Sequence, residues 1–141
     1  MGSAPNQPAA PRGRLTPRAL GRRGEQLACE HLQRRGFRIV ERNARTRAGE
    51  IDIVAFDGST LVFAEVKTRR VPAAGVGPDD AGPLAGLSAR QQAHLRHLAA
   101  AWLVRHVRGF PYARTLRLDA IGVSMDAAGS LLALEHLEGA W

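Results

Sequence analysis

The stretch from residue 49 to 67, Gly-Glu-Ile-Asp-Ile-Val-Ala-Phe-Asp-Gly-Ser-Thr-Leu-Val-Phe-Ala-Glu-Val-Lys, most restricts how this chain can fold. Two apolar runs, 51–56 and 61–66, flank Asp57-Gly58-Ser59-Thr60. Asp-Gly tolerates the positive φ angles of a tight reversal, so the pattern predicts a β-hairpin. Near-continuous apolar runs, without polar alternation, further predict strands covered on both faces. Asp52, Glu65 and Lys67 interrupt these runs. Charges set among buried strands are costly unless they are paired or bound to a cation.

Strand geometry indicates where they point. Glu65 and Lys67 are two residues apart and share a face, roughly 7 Å from one another. A four-residue turn would set Asp52 directly opposite Glu65; a two-residue Asp57-Gly58 turn would place it diagonally, on the same face. Opposed Cβ atoms lie about 4.5–5.5 Å apart and diagonal ones about 7–8 Å. Carboxylates that close repel unless a cation joins them. With no cysteine or imidazole nearby in sequence, an all-oxygen set favours a hard ion, Mg²⁺ or Mn²⁺. Among the 20 Lys and Arg residues, Lys67 is the only lysine. Lysine is a compact charge with a tunable pKa, suited to orienting or deprotonating a water. The plainer alternative is a salt bridge to Glu65.

Four segments follow in order: Gly24-Glu25-Gln26-Leu27-Ala28, Arg42-Asn43-Ala44-Arg45, Gly49-Glu50-Ile51-Asp52-Ile53-Val54 and Val62-Phe63-Ala64-Glu65-Val66-Lys67-Thr68-Arg69. Together they resemble the YraN-like family, small bacterial proteins with an endonuclease-like fold similar to Holliday-junction resolvases of the PD-(D/E)xK nuclease superfamily. The likeness spans about residues 17–138, with Ile51 where the superfamily name has proline. It implies a restriction-endonuclease-like α/β architecture, a mixed sheet of about five strands flanked by helices. It also implies metal-dependent hydrolysis of phosphodiester bonds in DNA, including branched or irregular DNA. Asp52, Glu65 and the Val66 carbonyl would hold Mg²⁺ or Mn²⁺, Lys67 would orient or activate water, and Glu25 would join from the first helix. Arg90-Gln91 matches a basic-Gln pair of the family, and resolvase-like relatives often act as homodimers. Two other classes stay open: a non-catalytic nucleic-acid-binding module of the same fold, and an interaction protein whose charge holds an acidic partner.

At 141 residues the chain fits one domain, read as 16–141 after a disordered Pro- and Gly-rich tail, 1–15. A net charge of +7 and a pI near 11.3 point to a polyanionic partner, nucleic acid before membrane. Eleven of the 19 arginines fall by position 47. Arg34, Arg35, Arg42, Arg45, Arg47 and Arg69 are candidates for sequence-independent phosphate contacts, with Arg90 and Gln91 added by the resemblance. No run approaches the ~18–20 apolar residues of a membrane span. The single cysteine, Cys29, fits a reducing cytoplasm and has no evident base partner.

Elsewhere, Thr16-Pro17 opens and Gly36 closes a helix with Glu25, Ala28, Cys29 and Leu32 along one side. A strand begins near Phe37. Glu50 shares a face with Asp52, as a secondary ligand or a partner of Arg42 or Arg47. Residues 69–87 read as a long loop, a flap over the substrate groove. Ser88 caps a second helix that ends before Gly109 and Pro111, with Leu95, Leu98, Trp102 and Val107 as its apolar face. His94 and His97 lack a third ligand for zinc. Residues 114–125 and 130–137 read as closing strands, with Asp119 expected to pair with an arginine.

Overall fold

The computed structural model describes residues 13–106 and 113–140, which leaves Val107, Gly109 and Pro111 outside the described residues. Seven elements run in the order α1 (Pro17–Arg34), β1 (Arg38–Thr46), β2 (Gly49–Phe56), β3 (Thr60–Arg70), α2 (Ala89–His106), β4 (Thr115–Met125) and β5 (Leu131–Leu137). The five strands form one sheet in sequence order. β3 and β4 are parallel, joined across α2, and the other neighbours are antiparallel. This is the mixed five-stranded α/β architecture expected, consistent with an endonuclease-like fold.

Local chemistry sets the helix ends. The Thr16 hydroxyl accepts from the Ala19 amide with Pro17 in the first turn, and Gly36 leaves α1 at φ +91°. Ser88 and Gln91 form a reciprocal capping box at the start of α2: Gln91 N–H donates to Ser88 Oγ, and Ser88 N–H to Gln91 Oε1.

Each helix covers one face of the sheet. Leu20, Leu27, Ala28, Cys29 and Leu32 of α1 pack on Ile53, Ala55, Val62, Ala64, Ile121, Val123 and Met125. Leu95, Leu98, Ala99 and Trp102 of α2 pack on Ile51, Val54, Leu61 and Phe63. Trp102 is core, edge-on to Phe63 at 5.5 Å. Cys29 is buried among the α1 residues, where burial raises its thiol pKa.

Gly24 fixes the height of α1. A Cβ there would stand 1.9 Å from Thr68 Cγ2, so the helix backbone rests directly on β3. That contact carries the neighbouring Glu25 toward the C-terminal half of β3. The long loop is anchored rather than free. Arg69 holds Asp80 through two hydrogen bonds, Leu84 is buried, and Pro83 and Leu84 fill the space above Gly122 that a side chain would occupy.

Candidate functional site

The hairpin turn is the four-residue form. Phe56 pairs with Leu61, Val54 with Phe63 and Ile53 with Ala64, while Asp57 Oδ1 accepts from the Ser59 and Thr60 amides. Pairing then stops one residue short of Asp52. There the Asp52 carboxylate takes over: Oδ2 accepts the Val66 N–H at 2.8 Å. The other side of β2 is irregular at the same point. Pairs Arg42–Ile53 and Ala44–Ile51 bracket Asn43, which faces Asp52 and adopts φ +50°. Asn enters this left-handed region more readily than most residues, because its short polar side chain can bond locally. Ile51 packs with α2 and Ile53 with α1 although their spacing should give them one face, so the alternation slips at Asp52. Irregularities of this kind commonly re-aim a side chain beside a functional site.

Residues 61, 63, 65 and 67 alternate onto the α2 side. Asp52 and Glu65 line one pocket of about 580 Å³ together with Glu50, Arg90, Gln91, Ala93, His94, Leu95, His97 and Leu98. The sheet thus supplies an acidic floor and α2 a basic and imidazole-bearing wall. Lys67 Nζ lies 3.0 Å from Glu65 Oε1, with both side chains largely covered.

The electrostatics at Asp52 are unusual. Burial, with the charges of Glu25 and Glu65, raises its pKa from an ordinary 3.8 to about 6, against the opposing Val66 N–H and Lys67. Glu25 sits on α1, outside the pocket wall, yet its charge reaches Asp52. Three carboxylates therefore share a region in which Lys67 is the cation felt at Asp52. This donor set suits a hard divalent cation: Asp52, Glu65 and the Val66 carbonyl are all oxygen, and the local charge is under-compensated. Among the described residues no three His, Cys, Asp or Glu side chains form a ready-made metal cluster, so any ion there depends on backbone and solvent oxygens as well.

The arginines divide. Arg45 pairs with Glu50 at 3.2 Å across β1 and β2, so Glu50 has Arg45 as its partner in place of the expected Arg42 or Arg47. Arg42 donates to Gln26 Oε1 at 2.8 Å, and Arg47 is exposed. Arg69 is committed to Asp80 and to Ser124 Oγ, and reaches a phosphate only by releasing that pair. Arg90 lines the pocket, while the Gln91 side chain is used in the helix cap. Three participants carried no assigned role in the sequence reading. His94 and His97 of α2 prove to be pocket residues, and Asn43 is the positive-φ position opposite Asp52. The helical spacing of His94 and His97 was visible in sequence, but which face of the sheet α2 covers was not.

Asp119 does pair with an arginine, as expected: Arg117 Nε lies 2.9 Å from Oδ1 and Nη2 3.0 Å from Oδ2. His136 Nε2 adds a bond at 2.7 Å and Gly139 N–H another. Among the described residues no helix is long and apolar enough to cross a membrane.

Comparison with known proteins converges on one family. The model of the uncharacterised protein family UPF0102 matches residues 24–123, from the glycine seated on Thr68 through most of β4. A UPF0102 protein of Streptomyces griseus is 46% identical over 121 residues, covering 86% of this chain and 94% of its own. One from an Arthrobacter species is 45% identical over 120 residues, covering 85% and 93%. Another, from a Parafrankia species, is 44% identical over 122 residues, covering 86% and 95%. With its four motifs inside the matched span, the chain belongs to family UPF0102, the YraN family that those motifs resemble.

Proposed function

We propose that this protein is a metal-dependent nuclease that hydrolyses phosphodiester bonds in DNA, with branched or otherwise irregular DNA as its substrate. One observation carries the reading. Asp52 is a partly buried carboxylate with two further carboxylate charges nearby, pushed up to about 6, at the point where β2 leaves its pairing with β3 and faces the positive-φ Asn43 of β1. Perturbed acids in a pocket are the usual mark of a working site.

Asp52, Glu65 and the Val66 carbonyl would hold Mg²⁺ or Mn²⁺. The ion, when bound, supplies Lewis-acid activation of water and neutralises charge on the phosphoryl oxygens. The protein's own residues do the rest. The Val66 N–H fixes the Asp52 carboxylate, and the ion pair with Glu65 holds the Lys67 ammonium beside a carboxylate of the pocket floor, where it would orient the attacking water. Glu25 adds negative potential that favours cation uptake. Arg42, Arg45, Arg47 and Arg90 contact phosphates away from the scissile bond, giving salt-sensitive binding without sequence preference.

The deciding experiment incubates the protein with linear, nicked, flapped and four-way DNA in Mg²⁺, Mn²⁺ or EDTA. Cleavage that needs the ion and is lost in Asp52→Asn supports the reading. Binding at low salt without cleavage in any ion would convert the protein to a non-catalytic nucleic-acid-binding module. Absence of both would favour an acidic protein partner.

A further inference from the structure

The α2 wall of the pocket raises a question that the acidic floor does not answer. In-line displacement at phosphorus puts the attacking and leaving oxygens on opposite sides. Lys67 and the carboxylates belong to the sheet side, and on the proposed mechanism so does the water they act on. The leaving oxygen therefore points toward α2. An alkoxide leaving from DNA is a strong base and departs slowly unless it is protonated or otherwise neutralised.

Four α2 side chains with polar groups line that wall: Arg90, Gln91, His94 and His97. Arg90 cannot give up its proton, and the Gln91 amide is engaged in the helix cap. Of the four, only the two imidazoles are groups of the kind that general acid catalysis uses. Gly49 separates the two. A Cβ on Gly49 would lie 3.5 Å from His94 Nε2, so the ring rests against the residue that opens β2, next to Glu50 and two residues beyond it Asp52. Gly49 has φ +141°, a conformation that side chains rarely adopt, and it leaves His94 room against the strand. His94 is therefore seated over the start of the acidic strand.

We propose that His94 is a further catalytic residue, the general acid that protonates the leaving oxygen of the phosphodiester. The inference rests on the nuclease reading. Water oxygen forms the new bond to phosphorus as the bond to the leaving oxygen breaks. The electron pair of the broken bond goes to that oxygen, which takes the proton from His94 Nε2. Water's lost proton passes to solvent, from which His94 is reprotonated. The sum is diester plus water giving monoester plus alcohol.

The test compares a DNA substrate with bis(p-nitrophenyl) phosphate, whose p-nitrophenolate leaves without a proton. In His94→Gln, DNA cleavage should fall about 10²–10⁴-fold. Hydrolysis of the activated diester should stay within about threefold of the parent. Affinity for a short DNA duplex in EDTA should be unchanged, because the imidazole acts on the bond and not on the grip. Thermal midpoints are recorded beside each assay, and His94→Asn serves as a second variant if the first folds poorly. Equal loss on both substrates would overturn the proposal in favour of a positioning role. Undiminished DNA cleavage would overturn it in favour of an exposed, idle histidine. If the parent protein cleaves neither substrate, the nuclease reading itself has failed, an outcome separate from either of these.

Discussion

Asp52 on β2 and Asp119 on β4 stand on either side of β3, and both lie mostly away from water. Their surroundings are opposite. Asp119 is fully buried, takes both nitrogens of a forked Arg117, and adds His136 and the Gly139 amide. Burial pushes its carboxyl upward, but the bonds from His136, Arg117 and Gly139 win and leave it below the ordinary range. His136 in turn shares a 2.9 Å hydrogen bond with His31, so the network clamps the last turn of α1 to β5. Asp52 has the Val66 N–H as its protein donor and two carboxylate charges for company. A buried acid that serves the fold is satisfied in full. Asp52 is left short of compensation, and that difference is what the proposed metal site rests on.

The largest effect that separates the two sites is on cleavage. Lys67→Arg keeps the charge but exchanges a compact ammonium for a planar fork that cannot lose its proton. Metal-dependent DNA cleavage should drop by about 100-fold or more, the low end of what a positioned proton-handling group contributes. DNA affinity and thermal midpoint should barely move. An arginine variant that cleaves like the parent would leave Lys67 only the duty of neutralising Glu65.

At the other aspartate the loss should appear in stability. Asp119→Ala strands Arg117 and His136 without their buried partner, a change worth about 3–5 kcal/mol in comparable buried pairs. Urea unfolding should report a lower midpoint, while any residual folded protein keeps its pocket. If Asp119→Ala proves as stable as the parent, the network is decorative and the contrast collapses.

Removing the charge at Asp52 should have the reverse sign. In the metal-free protein, Asp52→Asn keeps an acceptor for Val66 N–H and deletes a charge the site disfavours. Below pH 3.8 the parent carboxyl is protonated both folded and unfolded, so the two proteins match there. Between 3.8 and about 6 the folded state retains a proton that the unfolded state has lost, and parent stability falls as pH rises. Above about 6 the cost is complete, of the order of 2–3 kcal/mol at most. Asp52→Asn should therefore be the more stable protein at pH 7–8 without metal. Added Mg²⁺ should raise the parent's thermal midpoint and leave Asp52→Asn where it was. Equal midpoints across the pH range would show that Asp52 carries no strain.

How much of this was legible in the sequence follows from the range of the interactions. The hairpin, the two helix caps, the five strands and the Asp52, Glu65, Lys67 constellation rest on local patterns: Asp-Gly, Thr-Pro, a capping Ser88, and apolar runs with the charges set inside them. Those patterns survive because few tertiary contacts oppose them. Asn43 gave no local signal. Its left-handed turn is visible only once β1 is laid beside β2. The tethering of the 71–87 segment by Arg69, Ser124 and Gly122 likewise depends on β4, which follows some 30 residues later and offers no nearby cue. The same holds for His94 and His97 of α2, whose place in the pocket is set by a crossover and not by their own neighbours.

The smallest stability effect belongs to the arginines outside both clusters, and it sharpens the contrast from below. Arg45 meets Glu50 at 3.2 Å, but its side chain is 87% exposed and that of Glu50 52%. Exposed pairs of this kind contribute about 0–1 kcal/mol, because water screens them and ordering two long side chains offsets the attraction. Arg45→Ala should shift the unfolding free energy by less than about 0.5 kcal/mol. On DNA the same residue should count for more. Each phosphate neutralised contributes about 0.7–0.9 to the slope of log K against log salt. Arg45→Ala should flatten that slope by nearly one unit, and the triple change of Arg42, Arg45 and Arg47 to Ala by two to three times as much. Metal binding, read from the Mg²⁺-induced shift in thermal midpoint, should be unaffected, since none of the three guanidinium groups is among the charges that bear on Asp52. A triple variant with the parental salt slope would place the DNA-binding face elsewhere, with Arg90 and the α2 wall as the next region to test.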